Sequence, residues 1–173
     1  SEVARLNDGG YVVVWQSTSQ DGSGEGVYGQ RFNASGVAVG PEFRASTVTG
    51  NAQEYPHVAG LSNDGYVISW QDNAADGNSY GVYAQRYDAA GVKQGTNFLV
   101  NTFTTSQQQD EVIASYTGGF AVVWTSQSNP GNDSFDIFVK RYDNAGLVVT
   151  ADTRVSTVPG APGTAQTGAQ IVL

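Results

Sequence analysis

Three tryptophans, three arginines and three aspartate-bearing loops carry most of the chemistry this chain can offer. Trp15, Trp70 and Trp124 stand 55 and 54 residues apart, and Arg31, Arg86 and Arg141 stand 55 apart both times. Tyr28, Tyr83 and Phe138 keep the same spacing, as do Gly36, Gly91 and Gly146. Converging arginines could grip a sugar acid, and exposed indole rings could stack on sugars. Each has a plainer counterpart. A catalytic centre is a single place and breaks a repeat, whereas scaffold residues obey it. The arginines therefore read as ion pairs at unit junctions or strand ends, with Asn33, Asp88 and Asp143 as nearby partners, because a buried cation needs one. Each Trp continues the Tyr/Val face of the most apolar stretch, so it reads as core.

Tyr28, Tyr83 and Phe138 lie next to polar loops and are the first candidates for a ligand surface. Those loops hold Asp21-Gly-Ser-Gly-Glu25, Asp72 with Asp76-Gly-Asn78, and Asn132-Asp133 with Asp136. Calcium takes six to eight oxygens from closely spaced Asp, Asn, Ser and carbonyl groups. Asp21, Asp76, Asp133 and Asp136 could supply some of them. None has the spacing of the twelve-residue calcium loop, and Asp-Gly is equally a turn pair.

A unique activity belongs with the residues that break the repeat: His57, Lys93, Asp110-Glu111, Lys140 and the insertion at 159–168. His57 is the single histidine, which excludes a His-rich metal site. No phosphate loop, dinucleotide fingerprint or basic stripe occurs. Asp110-Glu111 matches Pro56-His57 by register, and neighbours in a strand point to opposite faces, a poor acid/base pair.

The elements that must position these residues come four to a unit. In the second unit the apolar runs are 57–61, 66–71, 81–87 and 98–102. Asn63-Asp64-Gly65 between the first two reads as a hairpin turn, because Asp-Gly tolerates positive φ. Asp88-Ala-Ala-Gly91, Asn33-Ala-Ser-Gly36 and Asp143-Asn-Ala-Gly146 read as type I turns closed by a left-handed glycine. No 3.6-residue apolar period occurs, so no helix is expected. The second run is apolar on both faces (Tyr11, Val13, Trp15 against Val12, Val14), which calls for sheets packed on both sides. The expected fold is all-β: three four-stranded antiparallel repeats, as β-propeller blades, in a partial propeller or one completed by oligomerisation. The units run at about 1–55, 56–109 and 110–168, with 169–173 starting another.

The 173 residues include no Cys and no Met, and the net charge is −8. That excludes a disulfide framework and thiolate chemistry and disfavours nucleic acid and anionic membrane as partners. No apolar run reaches the ~18 residues of a membrane span. The missing Met suggests a piece of a longer chain.

The stretches DGGYVVVWQS and GVYGQRFNASG, with their counterparts NDGYVISWQD and GVYAQRYDAAG, resemble the tandem repeats of very large secreted bacterial exoproteins and adhesins, which often carry hemolysin-type calcium-binding repeats elsewhere. The third unit departs from the motif at Asp136-Ile-Phe-Val-Lys140. The resemblance implies an extracellular or cell-surface location and a propeller-like or solenoid-like scaffold, without implying catalysis. The expected function is a non-catalytic scaffold or adhesion surface, not an enzyme. Its partners would be other copies or further repeats, glycans or surface proteins, with calcium as the one conceivable cofactor. The alternative is a lectin-like propeller with one sugar site per blade, and a third reading is a fragment of a propeller glycosidase.

Overall fold

The computed structural model describes residues 1–73, 75–127 and 135–155. Among them the chain is all-β. Unit 1 holds β1 (Glu2–Arg5), β2 (Tyr11–Thr18), β3 (Glu25–Phe32) and β4 (Ala38–Arg44). Unit 2 holds β5 (Gln53–Gly60), β6 (Tyr66–Asn73), β7 (Tyr80–Tyr87) and β8 (Lys93–Leu99). Unit 3 holds β9 (Gln108–Tyr116), β10 (Gly119–Ser126), β11 (Asp136–Asp143) and β12 (Val148–Arg154). Each unit is one antiparallel sheet with its strands in chain order. The insertion at 159–168 and the run 169–173 lie outside the described residues.

Two apolar cores sit between consecutive sheets. Val12, Val14, Val27 and Ala45 of unit 1 pack on Tyr66, Ile68, Trp70 and Tyr87 of unit 2. Val67, Val82, Ala84 and Val100 of unit 2 pack on Phe120, Val122, Trp124 and Tyr142 of unit 3. β6 thus feeds one core with its even-numbered residues and the other with Val67, as side-chain alternation requires. The first strands, β1, β5 and β9, make most of the contact from sheet to sheet.

A small exchange of volume lets each sheet approach the next. Gly29 lies opposite Phe43, Ala84 opposite Phe98, and Val139 opposite Thr153. A Cβ on Gly29 would sit 2.7 Å from the Phe43 ring. The freed ring of Phe43 leans on Tyr87 of the next unit at 5.2 Å, and Phe98 leans on Tyr142 at 5.5 Å.

The turns after the third strands form as expected. Gly36, Gly91 and Gly146 have φ of 76°, 82° and 81°, and Asn33, Asp88 and Asp143 cap their own downstream amides. The hairpin turn at Asn63-Asp64-Gly65 forms as well. Asp64 itself takes the positive φ, 67°, where the other units place Gly9 and Gly118. The following glycine is needed for space. A Cβ would meet a carbonyl oxygen at 2.4 Å at Gly10 and Gly65 and at 2.0 Å at Gly119. Gly119→Ala is therefore expected to cost about 2–3 kcal/mol in urea denaturation.

Two register details also differ. The fourth strand of unit 2 is 93–99 and not 98–102, because pairing resumes directly after Gly91 and places Lys93 opposite Tyr87. Tyr55 and Asp110 both sit in left-handed bulges, φ 53°, and His57 pairs with Ser69 as Val112 pairs with Val123. Asp110-Glu111 therefore corresponds to Tyr55-Pro56, one residue from the sequence reading, since the link from Ser115 to Phe120 is one residue shorter than that from Gly60 to Tyr66.

Candidate functional site

The hairpin turns that join the first two strands of each unit bring Asn7, Ser62 and Thr117 together at one end of the array. They line a cleft of about 550 Å³ with Ser115, Tyr116 and the backbone of Gly60 and Leu61. The wall is held across units. Asn7 Nδ2 donates to Leu61 O at 3.1 Å. Gly118 N–H and Asn144 Nδ2 donate to Ser62 Oγ at 3.1 and 3.0 Å. Tyr116 occupies the position of Leu6 and Leu61 in the other units, so this corner breaks the repeat. Its hydroxyl donates to Tyr142 O at 2.8 Å, and the Arg141 guanidinium lies 4.5 Å from its ring centroid. Hydroxyls, an amide and one aromatic ring, with no carboxylate in the lining, suit a neutral polyhydroxylated ligand. Sequence reasoning passed over Tyr116; the signal was a Tyr where two units carry Leu.

The arginines do not converge. Arg31 pairs with Asp8 of its own unit at 2.6 Å. Arg86 Nη1 donates to Asn144 O of unit 3 at 2.8 Å, and the Asp143 charge supports it there. Arg141 is exposed. Arg86 is thus a seam residue, whereas Arg31 pairs within its own sheet, and Asp88 is occupied with its own turn.

At the opposite ends of the second strands lie the aspartate loops. Asp21 Oδ2 meets Arg44 at 3.2 Å, and Asp136 meets Arg154 at 3.4 Å. Loop and strand supply the carboxylate interchangeably. A Cβ on Gly26 or Gly81 would lie 3.1 or 2.8 Å from the Asp21 or Asp76 carboxylate, and Asp136 stands at that glycine's position. Unit 2 departs from the pattern twice. Leu99 replaces the arginine, and Asp72 replaces Ser17 and Ser126. Burial pushes Asp72 up to about 6, against hydrogen bonds from Asn51, Gln53 and Trp70, with the Asp76 charge adding to the rise. Among the described residues no three carboxylate or imidazole groups converge as a metal site. Asp133 lies outside the described residues.

The three candidate ligand aromatics are placed less openly than the loops beside them suggest. Tyr28 and Phe138 are buried, and Tyr83 is half-buried. Tyr83 stacks on Trp70 at 6.5 Å and Phe138 on Trp124 at 6.0 Å. Burial, followed by the charges of Asp76 and Asp72, pushes the Tyr83 hydroxyl up to about 12. Trp70 and Trp124 are core residues, while Trp15 is half-buried. His57 Nδ1 lies 3.8 Å from Glu2 Oε1, and burial holds its pKa below the usual value although Glu2 opposes this. Lys140 is buried in a structural role, bonded to Val100 O at 2.8 Å and paired with Asp152 at 2.9 Å. Lys93 Nζ likewise reaches across a seam to Ala45 O at 2.9 Å.

No protein-family model matches the chain, and no curated protein matches it. Among solved structures, an endo-arabinase from Bacteroides thetaiotaomicron aligns with 90% of this chain at a TM-score of 0.55 and 14% identity. The chain spans about three fifths of that structure's length, 61%. At this identity the likeness is one of fold. It corrects the expectation that the chain is not an enzyme. That expectation rested on repetition of the units, and an enzyme with the same sheet arrangement removes the ground for it.

Proposed function

We propose that the chain is a repeat module of a secreted bacterial protein, built as a segment of a β-propeller, whose interaction surface recognises neutral carbohydrate. The supporting observation is the cleft at Asn7, Ser62 and Thr117, where unlike units meet and Tyr116 breaks the repeat. The recurring residues, Trp70, Trp124 and Arg86 among them, are spent on the seams and form a rigid support. Copies or further repeats, and surface glycans, are its partners in this reading. A glycan array that includes arabinans tests it. Thr117 is exposed, so Thr117→Lys should block the cleft without harming the fold and weaken binding at least about tenfold, the ~1.4 kcal/mol of a few lost contacts. A blank array would sink the carbohydrate reading.

A second reading is glycan cleavage, favoured by the Asp72–Asp76 pair of unit 2 and by the fold likeness to an endo-arabinase. A carboxyl pushed up to about 6, as Asp72 is, can hold a proton for a leaving group. Release of reducing ends from arabinan, lost in Asp72→Asn, would support it. No release by the unmodified chain would refute it.

A further inference from the structure

We infer that unit 2 binds a divalent, oxygen-seeking cation, calcium by preference, between Asp72 and Asp76 at the C-terminal end of β6, with Gln53 as a third oxygen donor. Strand pairing puts the three groups in one row. Gln53 of β5 stands opposite Asp72 of β6, and Asp72 stands opposite Gly81 of β7. Residues directly opposite each other share a face of the sheet. The Asp76 carboxylate lies over Gly81, 2.8 Å from where a Cβ would be, so it takes the side-chain place of that position.

The same row in the other units is electrically balanced. Unit 1 has Ser17 opposite Gly26, with Asp21 paired to Arg44. Unit 3 has Gln108, Ser126 and Asp136, with Asp136 paired to Arg154. Unit 2 gains a carboxylate at Asp72. It also loses the guanidinium, because Leu99 stands opposite Tyr83 where Arg44 stands opposite Tyr28 and Arg154 opposite Phe138. The ionised row therefore carries two uncompensated negative charges. Among the described residues no ion pair includes either aspartate. One divalent ion restores the balance.

The oxygens that would hold the ion are buried and unused. Asp72 is 2% exposed and Gln53 is 0% exposed. Asp72 Oδ1, Asp76 Oδ2 and Gln53 Oε1 each lack a hydrogen bond. Asp76 is fixed through its other oxygen, which accepts the Asn78 N–H at 3.2 Å. Buried acceptors left in this way are costly, and a cation satisfies them together. Carboxylate and amide oxygens are the ligands calcium takes, with water completing its shell. The charges of both aspartates act on the Tyr83 hydroxyl, beside the stack of Tyr83 on Trp70. Such an ion leaves the carbohydrate cleft untouched. It holds Asp72 ionised and so excludes a proton-donor role there, and ion binding and reducing-end release are read separately.

Melting of the 173-residue chain near neutral pH, in millimolar calcium and in EDTA, tests the site. Calcium should raise the midpoint by about 4 °C, the shift for a site held at roughly ten times its Kd. Terbium should bind with emission excited through Trp70, and calcium should displace it. Asp76→Asn should weaken calcium binding at least about tenfold. Leu99→Arg supplies the guanidinium of units 1 and 3, so it should abolish binding and raise the midpoint measured in EDTA. Asp21→Asn, in a row that Arg44 already balances, should leave binding unchanged. Far-ultraviolet dichroism checks that each variant folds. Equal midpoints in calcium and EDTA for the unmodified chain, or a calcium shift that survives both Asp76→Asn and Leu99→Arg, would overturn the proposal.

Discussion

Truncation of Trp70 to alanine is expected to lower the unfolding free energy by about 3–5 kcal/mol, the range for a large aromatic removed from a packed core. Trp70 is fully buried in the seam between units 1 and 2, among Val12, Val14 and Val27 on one side and Tyr83 on the other. The sheets meet there through rigid strands, so the cavity cannot collapse without separating the units. Trp15→Ala removes the same side chain from the same strand position and should cost less than half as much, because Trp15 is half-buried. Urea denaturation of both variants at submicromolar protein gives the comparison. Equal losses would mean that the indole contributes within its own sheet and that seam packing is not what holds the units together.

Replacing Glu111 with glutamine is expected to stabilise the chain at neutral pH, by about 1–3 kcal/mol, the cost of a poorly compensated buried polar group. Glu111 is 0% exposed at the start of β9. Burial holds its pKa well above the carboxylate range, its own backbone amide and Gln71 oppose this weakly, and Asp110 adds to it. The folded chain therefore keeps a proton that the unfolded chain releases above about 4.3. Stability from this group is complete at acid pH and falls as pH rises towards the folded pKa, by up to about 1.4 kcal/mol per pH unit. Asp72, at about 6, acts in the same direction. His57, whose folded pKa is lowered, acts in the opposite one and loses stability as pH falls. The difference between Glu111→Gln and the parent isolates the glutamate. It should grow from near zero at pH 4 to its full size at pH 7, and a difference that is flat with pH would refute the assignment.

The all-β architecture, the four strands per unit and the seam role of Trp70 and Trp124 were legible in the sequence, because alternation and turn residues recur at fixed spacing. The Asn/Asp-x-x-Gly turns were legible for the same local reason. What escaped was set by contacts distant in sequence. The turn between β9 and β10 is one residue shorter than its counterpart between β5 and β6, which only the strand pairing reveals, so the register of Asp110-Glu111 slipped by one. The cleft depends on three turns meeting, and Tyr116 marks it only once its neighbours in space are known. Tyr28 and Phe138 look exposed beside polar loops, yet the adjoining Trp rows bury them.

The opposed sizes of Gly29 with Phe43, Ala84 with Phe98 and Val139 with Thr153 have a consequence for how such arrays can be recombined. The third and fourth strands of a unit form one heritable block. A graft that carries β3 without β4 would set Gly against Thr and leave a void, or Val against Phe and force a clash. Crossovers that keep the sheets intact fall in the links between units, at 45–52 or 100–107. A repeat array of this kind therefore grows and shrinks by whole units, and chimaeras should be cut there.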